Sequence, residues 1–284
     1  MISVAIVTWN RLDKLKRCLD SCVEHGELIN EIIVVDNCSD DGTSDAFSTI
    51  NSYKGISFNY LRMHENLGCP VARNIAMANC KSDFIYCLDD DGWLQANTLR
   101  TALDIMLSDS KVAVVCSKIM DPDTKFILGH SGKKRNLGNF SAGASLYRTS
   151  VIDRVGYFPS YFRQMEESHL SLRIIDNKYK ILFQPESIMY HEKQKTNIQS
   201  TSEVRLNYIH DANNMYDLLS IIYYYPVVLL KSRSHLKIYK DEKALKYFVL
   251  DFFKVIFPMF SFERKRYKNV SLDSFLRQKK LNRN

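Results

Sequence analysis

The chain lacks the cysteine spacing of a metal site or a disulfide framework. Its seven cysteines (Cys18, Cys22, Cys38, Cys69, Cys80, Cys87 and Cys116) are odd in number and contain no CxxC pair. None sits with histidine at zinc-like spacing, so reduced thiols in a cytosolic protein are expected. The apolar opening MISVAIVTWN is too short for a secretory leader and has no basic segment before it, which points away from secretion. No apolar run reaches the roughly 20 residues of a spanning helix. The longest, LLSIIYYYPVVLL and YFVLDFFKVIFPMFSF, are interrupted by Pro226, Asp251, Lys254 and Pro258, and read as interfacial rather than transmembrane. Internal repeats are absent too. What remains is a chain of soluble, globular composition, long enough at 284 residues to bury a core.

Charge is unevenly placed. Residues 231–284 hold 15 Lys/Arg against 5 Asp/Glu, a balance of +10, whereas residues 1–230 carry 24 against 27, a balance of −3. A mildly acidic body with a basic tail suggests an anionic partner, either nucleic acid or a membrane surface. The tail's aromatics lie in apolar blocks rather than singly between basic residues, which favours the membrane over nucleic acid.

The first half alternates strand and helix signals. SVAIVTW, EIIVVD, GISFNYLRM, DFIYCLD and VAVVCSKIM read as strands. Helical patterns lie between several of them: RLDKLKRCLDSCVEH, with Asn10 as its expected cap, then GCPVARNIAMANC and residues 97–108. This order predicts an α/β fold with a mostly parallel sheet and helices on both faces. Ligands bind such sheets at the carboxyl ends of the strands, and Thr8, Asp36 and Asp89 all fall there. A loop-rich stretch over 121–145 and a second helix–strand stretch over 150–191 follow. After about residue 199 the chain turns helical, aromatic and basic.

Three consecutive aspartates close one strand, in FIYCLDDDGW. Adjacent carboxylates repel, and burying one unpaired is costly, so a cation is expected among them. At the end of an extended strand, positions two apart point the same way, so Asp89 and Asp91 are expected to face one ligand while Asp90 turns aside. Hard oxygen donors of this kind suit Mg²⁺ or Mn²⁺; the plain alternative is a solvated Asp-Asp-Gly turn. Asp36 in VVDNCSDDGT can accept from the N–H of a pyrimidine base, and an Asx turn there falls to Asp40 or Asp41. In ENLGCPVARN, Gly68 precedes a helix and Arg73 lies one turn inside it. Arginine suits a base carbonyl or an anion, or else a surface ion pair.

These stretches, in this order, resemble the family 2 glycosyltransferases of GT-A fold. VAIVTWN is similar to that family's opening, with Trp9 where tyrosine is commoner. VVDNCSDDGT, ENLGCPVARN and CLDDDGW resemble its next three motifs, the last being the D-x-D motif. SAGASLYRTSVIDRVGYFPSYFRQMEESHLSLRI and YKILFQPESIMYHE resemble its later block and closing strand. The likeness covers about residues 2–195. It implies a Rossmann-like GT-A domain over 1–199 with a helical, basic extension over 200–284 for membrane association or packing.

The resemblance also implies roles. Asp36 would bind the donor's base and Asp89 its ribose, with Thr8, Asn10, Asn66, Gly68, Arg73, Asp90 and Gly143 lining the donor site. Asp91, with Asp89 and His191, would hold Mn²⁺ or Mg²⁺ on the donor diphosphate. Glu167 stands where the family has an aspartate as general base, one methylene longer, with Glu166 beside it as the second candidate. Alternatively, both glutamates favour the N-terminus of the helix they open. Trp93 could stack on a sugar or fill the core. The function implied is inverting transfer from a UDP- or dTDP-sugar to a lipid-linked saccharide, at the cytoplasmic face of the cell membrane. Competing readings are a sugar-nucleotide hydrolase or nucleotidyltransferase using the same site, and a nucleic-acid-binding protein using the tail.

Overall fold

The computed structural model describes residues 1–158 and 166–192, and the isolated positions Arg277 and Leu281. Apart from those two positions, the extension expected over 200–284 and the boundary at 199 lie outside the described residues. The elements are β1 (Ile2–Thr8), α1 (Leu12–Val23), β2 (Ile29–Asp36), α2 (Thr43–Phe47), β3 (Ser52–Tyr53) and β4 (Ile56–Arg62). Then come α3 (Cys69–Ala78), β5 (Phe84–Asp89), β6 (Gly92–Leu94), α4 (Thr98–Ser108), β7 (Val112–Met120), β8 (Ile127–Leu128) and β9 (Arg135–Asn136). Last are β10 (Ala144–Arg148), α5 (Thr149–Val155), α6 (Glu166–Asp176) and β11 (Lys180–His191).

One mixed sheet runs in the order β3-β4-β2-β1-β5-β10-β7-β11-β6, with β8 on β7 and β9 on β11. Strands β4, β2, β1 and β5 are parallel, as the alternating pattern predicts. β10 enters antiparallel between β5 and β7, and β7 and β11 are parallel again.

Side chains of a strand alternate between faces, so each buried strand feeds two cores. Ile2, Val4 and Ile6 of β1 pack with Leu15 and Leu19 of α1 and with the core that Leu99 and Met106 of α4 join. Ala5, Ile33, Val35 and Ile85 face the other way, toward Ala72 and Met77 of α3 and Ile174 of α6. Strands covered on both sides read as continuous apolar runs, which is why EIIVVD and DFIYCLD are so uniformly hydrophobic.

The register decides where chemistry can happen. Thr8 pairs with Asp36 across β1 and β2, and Val7 pairs with Asp89 across β1 and β5, so all three polar strand ends open on one edge. Because β10 runs the opposite way, its start rather than its end lies there, with Ala144 opposite Leu88. β11 meets β6 antiparallel, pairing His191 with Gly92 beside Asp91. Among the described residues no helix is long and apolar enough to cross a membrane.

Candidate active site

β5 ends at Asp89, and the chain turns through Asp90 and Asp91 into β6. The strand is therefore not extended past Asp89, and the expected pairing of Asp89 with Asp91 about a single ligand does not follow from strand alternation. Asp90 is turned inward, not aside. Thr8 Oγ1 donates to Asp90 Oδ2 at 2.8 Å, and Arg11 Nη1 reaches Asp90 Oδ1 at 3.0 Å and Asp91 Oδ2 at 2.8 Å. The other oxygen of Asp91 lies 3.1 Å from His191 Nε2. Asp89 turns to a different cation, accepting from Arg73 Nη2 at 2.9 Å. The positive charge that three aspartates demand is thus supplied in part by the chain itself.

The pKa directions follow from these contacts. Burial pushes Asp90 up to about 6, against the opposing pull of Arg11 and Thr8. Burial also pushes Asp91 upward, but the His191 hydrogen bond and the charges of His191 and Arg11 outweigh it, leaving Asp91 lowered. The Asp91 hydrogen bond in turn raises His191 against its own burial.

Arg73 is the hinge between two halves of the site. It is buried on α3, and its second nitrogen, Nη1, meets Glu166 Oε1 at 3.2 Å. The surface ion pair considered for Arg73 is therefore a buried bridge from Asp89 to the first residue of α6. Glu167 is left comparatively free. Its Oε1 accepts from the Ala142 backbone N–H at 3.4 Å, a long bond. Burial and the neighbouring Glu166 charge push the Glu167 carboxyl up to about 7, so it can take a proton near neutral pH. Glu166 is also raised by burial, with Arg73 opposing.

Gly143 earns its place by close approach. A Cβ there would fall 1.8 Å from Asp89 Oδ1 and 2.0 Å from its Cγ, so only glycine leaves room for the Asp89 side chain. Gly68, which precedes α3, has φ of +81°, where a side chain would be strained.

At the β2 end Asp36 is fully buried. Ser39 N–H donates to its Oδ1 at 2.9 Å and the Tyr60 hydroxyl donates to its Oδ2. Asn66 Oδ1 accepts from Asn37 Nδ2 at 2.7 Å and from Gly68 N–H at 3.0 Å, bracing the loop ahead of α3. Asn10 does not cap α1. It takes φ of +53° and its Oδ1 accepts from the Asp40 N–H at 2.8 Å, while the Leu12 N–H goes to Asp41 Oδ2 at 2.8 Å. Asp41 thus closes α1 and also its own turn, through Thr43. Trp93 neither fills the core nor stands bare. Arg17 lies 3.9 Å over its ring and Tyr190 is 5.9 Å away, at the side of an open cleft of about 400 Å³.

Sequence reasoning passed over Arg11 and Tyr60. Arg11 directly follows the strand-end motif VTWN, but its aspartate partners lie 79 and 80 residues further on, so local sequence does not reveal the contact. Tyr60 carries no signal either, since in β4 it reads as one more aromatic strand residue.

The sheet thus gathers acidic and polar groups at the carboxyl ends of β1, β2 and β5, faced by two glutamates opening α6. The family model described as Glycosyl transferase family 2 matches residues 3–170. The chain belongs to that family and is a glycosyltransferase. A putative teichuronic acid biosynthesis glycosyltransferase, TuaG of Bacillus subtilis, is 29% identical over 112 residues, covering 39% of this chain and 43% of TuaG. An uncharacterized glycosyltransferase of Haemophilus influenzae is 21% identical over 94% of this chain and 99% of its own length. Among solved structures, residues 1–349 of S. aureus TarS superpose with a TM-score of 0.58 at 20% identity, over 67% of this chain and 60% of that one. A mannosyltransferase of Pyrobaculum calidifontis, in complex with GDP-Man and Mn2+, gives 0.58 at 18% identity over 88% and 83%. These structures share the fold. The chain spans less than two thirds of TuaG and of that TarS chain.

Proposed function

We propose that the protein transfers a sugar from a nucleoside-diphosphate sugar to a hydroxyl of a saccharide acceptor, with inversion, in surface-polysaccharide synthesis. The observation that carries this reading is the Arg73 bridge, which ties Asp89 at the donor end to Glu166, next to Glu167. In this reading Asp36 receives the base, Asp89 the ribose and Glu167 the acceptor proton. The acceptor oxygen attacks the anomeric carbon, Glu167 takes that hydroxyl's proton, and the bond to the diphosphate oxygen breaks as the nucleoside diphosphate leaves. Glu166 stays with Arg73 and orients the pair.

The donor set at the turn fits a divalent cation. Asp91 and His191 touch, and Asp89 keeps a side chain that is 43% exposed, although among the described residues no ready cage of three ligands is assembled. Mg²⁺ and Mn²⁺ use one or two protein carboxylates and complete their shell with phosphate and water, so an incomplete protein cage suits them. When bound, such an ion offsets the charge that develops on the leaving diphosphate. The TarS complex with UDP-GlcNAc and the mannosyltransferase complex with GDP-Man and Mn2+ support a sugar-nucleotide donor for this fold.

A thermal-shift panel of UDP, dTDP and GDP, each with and without Mn²⁺, tests the donor assignment. Ligand that binds only the folded state raises stability by RT ln(1 + [L]/Kd), so one nucleotide with Mn²⁺ is expected to raise Tm above the others. No rise with any of them rejects the reading.

The acceptor in this reading is lipid-linked, and the +10 balance of residues 231–284 favours contact with an anionic leaflet. Each Lys or Arg near such a surface contributes about 1 kcal/mol. The 284-residue chain is expected to co-sediment with phosphatidylglycerol vesicles, and an Arg264→Glu/Lys265→Glu/Arg266→Glu variant to do so less. Equal sedimentation of the two, or none by either, rejects membrane contact through the tail.

A further inference from the structure

Arg11 contacts two of the three aspartates yet belongs to none of the motifs that carry the family resemblance. Its Nη1 bridges Asp90 Oδ1 at 3.0 Å and Asp91 Oδ2 at 2.8 Å. Both aspartates are buried, with side chains 7% and 9% exposed, whereas Arg11 is 41% exposed at the mouth of the site. Thr8 and His191 hold the remaining oxygens of the pair. The four oxygens of Asp90 and Asp91 are thus all engaged, and the guanidinium is the most exposed of their partners, ahead of His191 and the buried Thr8. Asp89 and Glu166 are balanced separately by Arg73.

We infer that Arg11 is a resident counter-cation that a divalent metal displaces from Asp91, and that the released guanidinium then turns to the donor diphosphate. The inference rests on the metal and donor site proposed above. Two cations cannot share Asp91 Oδ2 closely without repulsion, so an ion arriving there competes with Arg11. An ion arriving alone leaves the displaced guanidinium with Asp90 only. If a diphosphate arrives with the ion, it offers oxygens that match the planar fork of arginine, and Arg11 is satisfied again. Metal and nucleotide should therefore bind with positive coupling, and coupling is reciprocal: each raises the other's affinity by the same factor. The exposure of Arg11, against the burial of Arg73, is what makes this arginine and not the other free to exchange.

The test is Mn²⁺ binding, read by the free-ion electron paramagnetic resonance signal, with and without UDP, dTDP or GDP, for wild type, Arg11→Gln and Arg11→Lys. Without nucleotide, Arg11→Gln is expected to bind Mn²⁺ about tenfold tighter than wild type, because the competing charge is gone. Its nucleotide affinity in saturating Mn²⁺ is expected to fall, and the coupling factor with it. Arg11→Lys keeps the charge but loses the fork, and is expected to lie between the two; it carries the test if Arg11→Gln does not fold. Unchanged or weaker Mn²⁺ binding by Arg11→Gln without nucleotide overturns the inference, as does an unchanged coupling factor in either variant. If wild type binds neither Mn²⁺ nor any of the nucleotides, the donor-site reading falls and this inference with it. If wild type binds both and the variants match it, only the role of Arg11 is rejected.

Discussion

In Glu167→Gln protein, kcat is expected to fall by about 10²-fold or more while donor affinity stays near wild type. Glutamine keeps the size and the contact with the Ala142 N–H but cannot accept a proton. The wild-type carboxyl, pushed up to about 7 by burial and by Glu166, should make kcat/KM rise with pH through that value as the base loses its proton. Stability carries the opposite sign. The folded pKa lies above the unfolded one, so the stability linked to this group is full below about pH 4.5 and is lost as pH rises through about 7. At pH 8 the Gln variant is therefore expected to melt no lower than wild type, and higher if Glu167 is charged there. Glu166→Gln should behave differently, because it removes a buried partner of Arg73; breaking such a pair typically costs about 3–5 kcal/mol. If Glu166→Gln folds and is dead while Glu167→Gln turns over normally, the two roles are exchanged.

Asp91→Ala is expected to abolish transfer and to remove the Mn²⁺ enhancement of nucleotide binding. The substitution takes away the carboxylate that joins Arg11 to His191 and leaves each without that partner. Isothermal titration of UDP, dTDP and GDP in Mn²⁺ and in EDTA, alongside a turnover assay, separates the two effects. Wild-type turnover that persists unchanged in EDTA overturns the metal assignment at Asp91, whatever the variant does.

Much of this architecture was legible in the order of residues. Apolar runs ending in aspartate, at EIIVVD and DFIYCLD, are what a strand covered on both faces looks like. Parallel strands put such ends on one edge, so Thr8, Asp36 and Asp89 could be grouped before any contact was known. The turn at Asp40–Asp41 and the helix boundaries near 98 and 108 follow from local chemistry that acts within a few residues. The two glutamates of MEES could be singled out, but nothing local distinguished their surroundings.

Periodicity reports which face a side chain takes, whereas lateral neighbours depend on how distant strands pair. Arg11 meets carboxylates 79 and 80 residues away, and Arg73 joins Asp89 to a glutamate 93 positions on. The glycine at 143 is required only because antiparallel β10 begins where parallel β5 ends, bringing its backbone against Asp89. The choice between Glu166 and Glu167 rests on the same kind of contact: Arg73, anchored on α3, reaches one glutamate and leaves the other to burial. Local sequence determined which elements form and where the acidic residues end up along the sheet edge. Tertiary structure alone decided which cation each of them faces, because charge compensation acts through space between groups that the chain order keeps far apart.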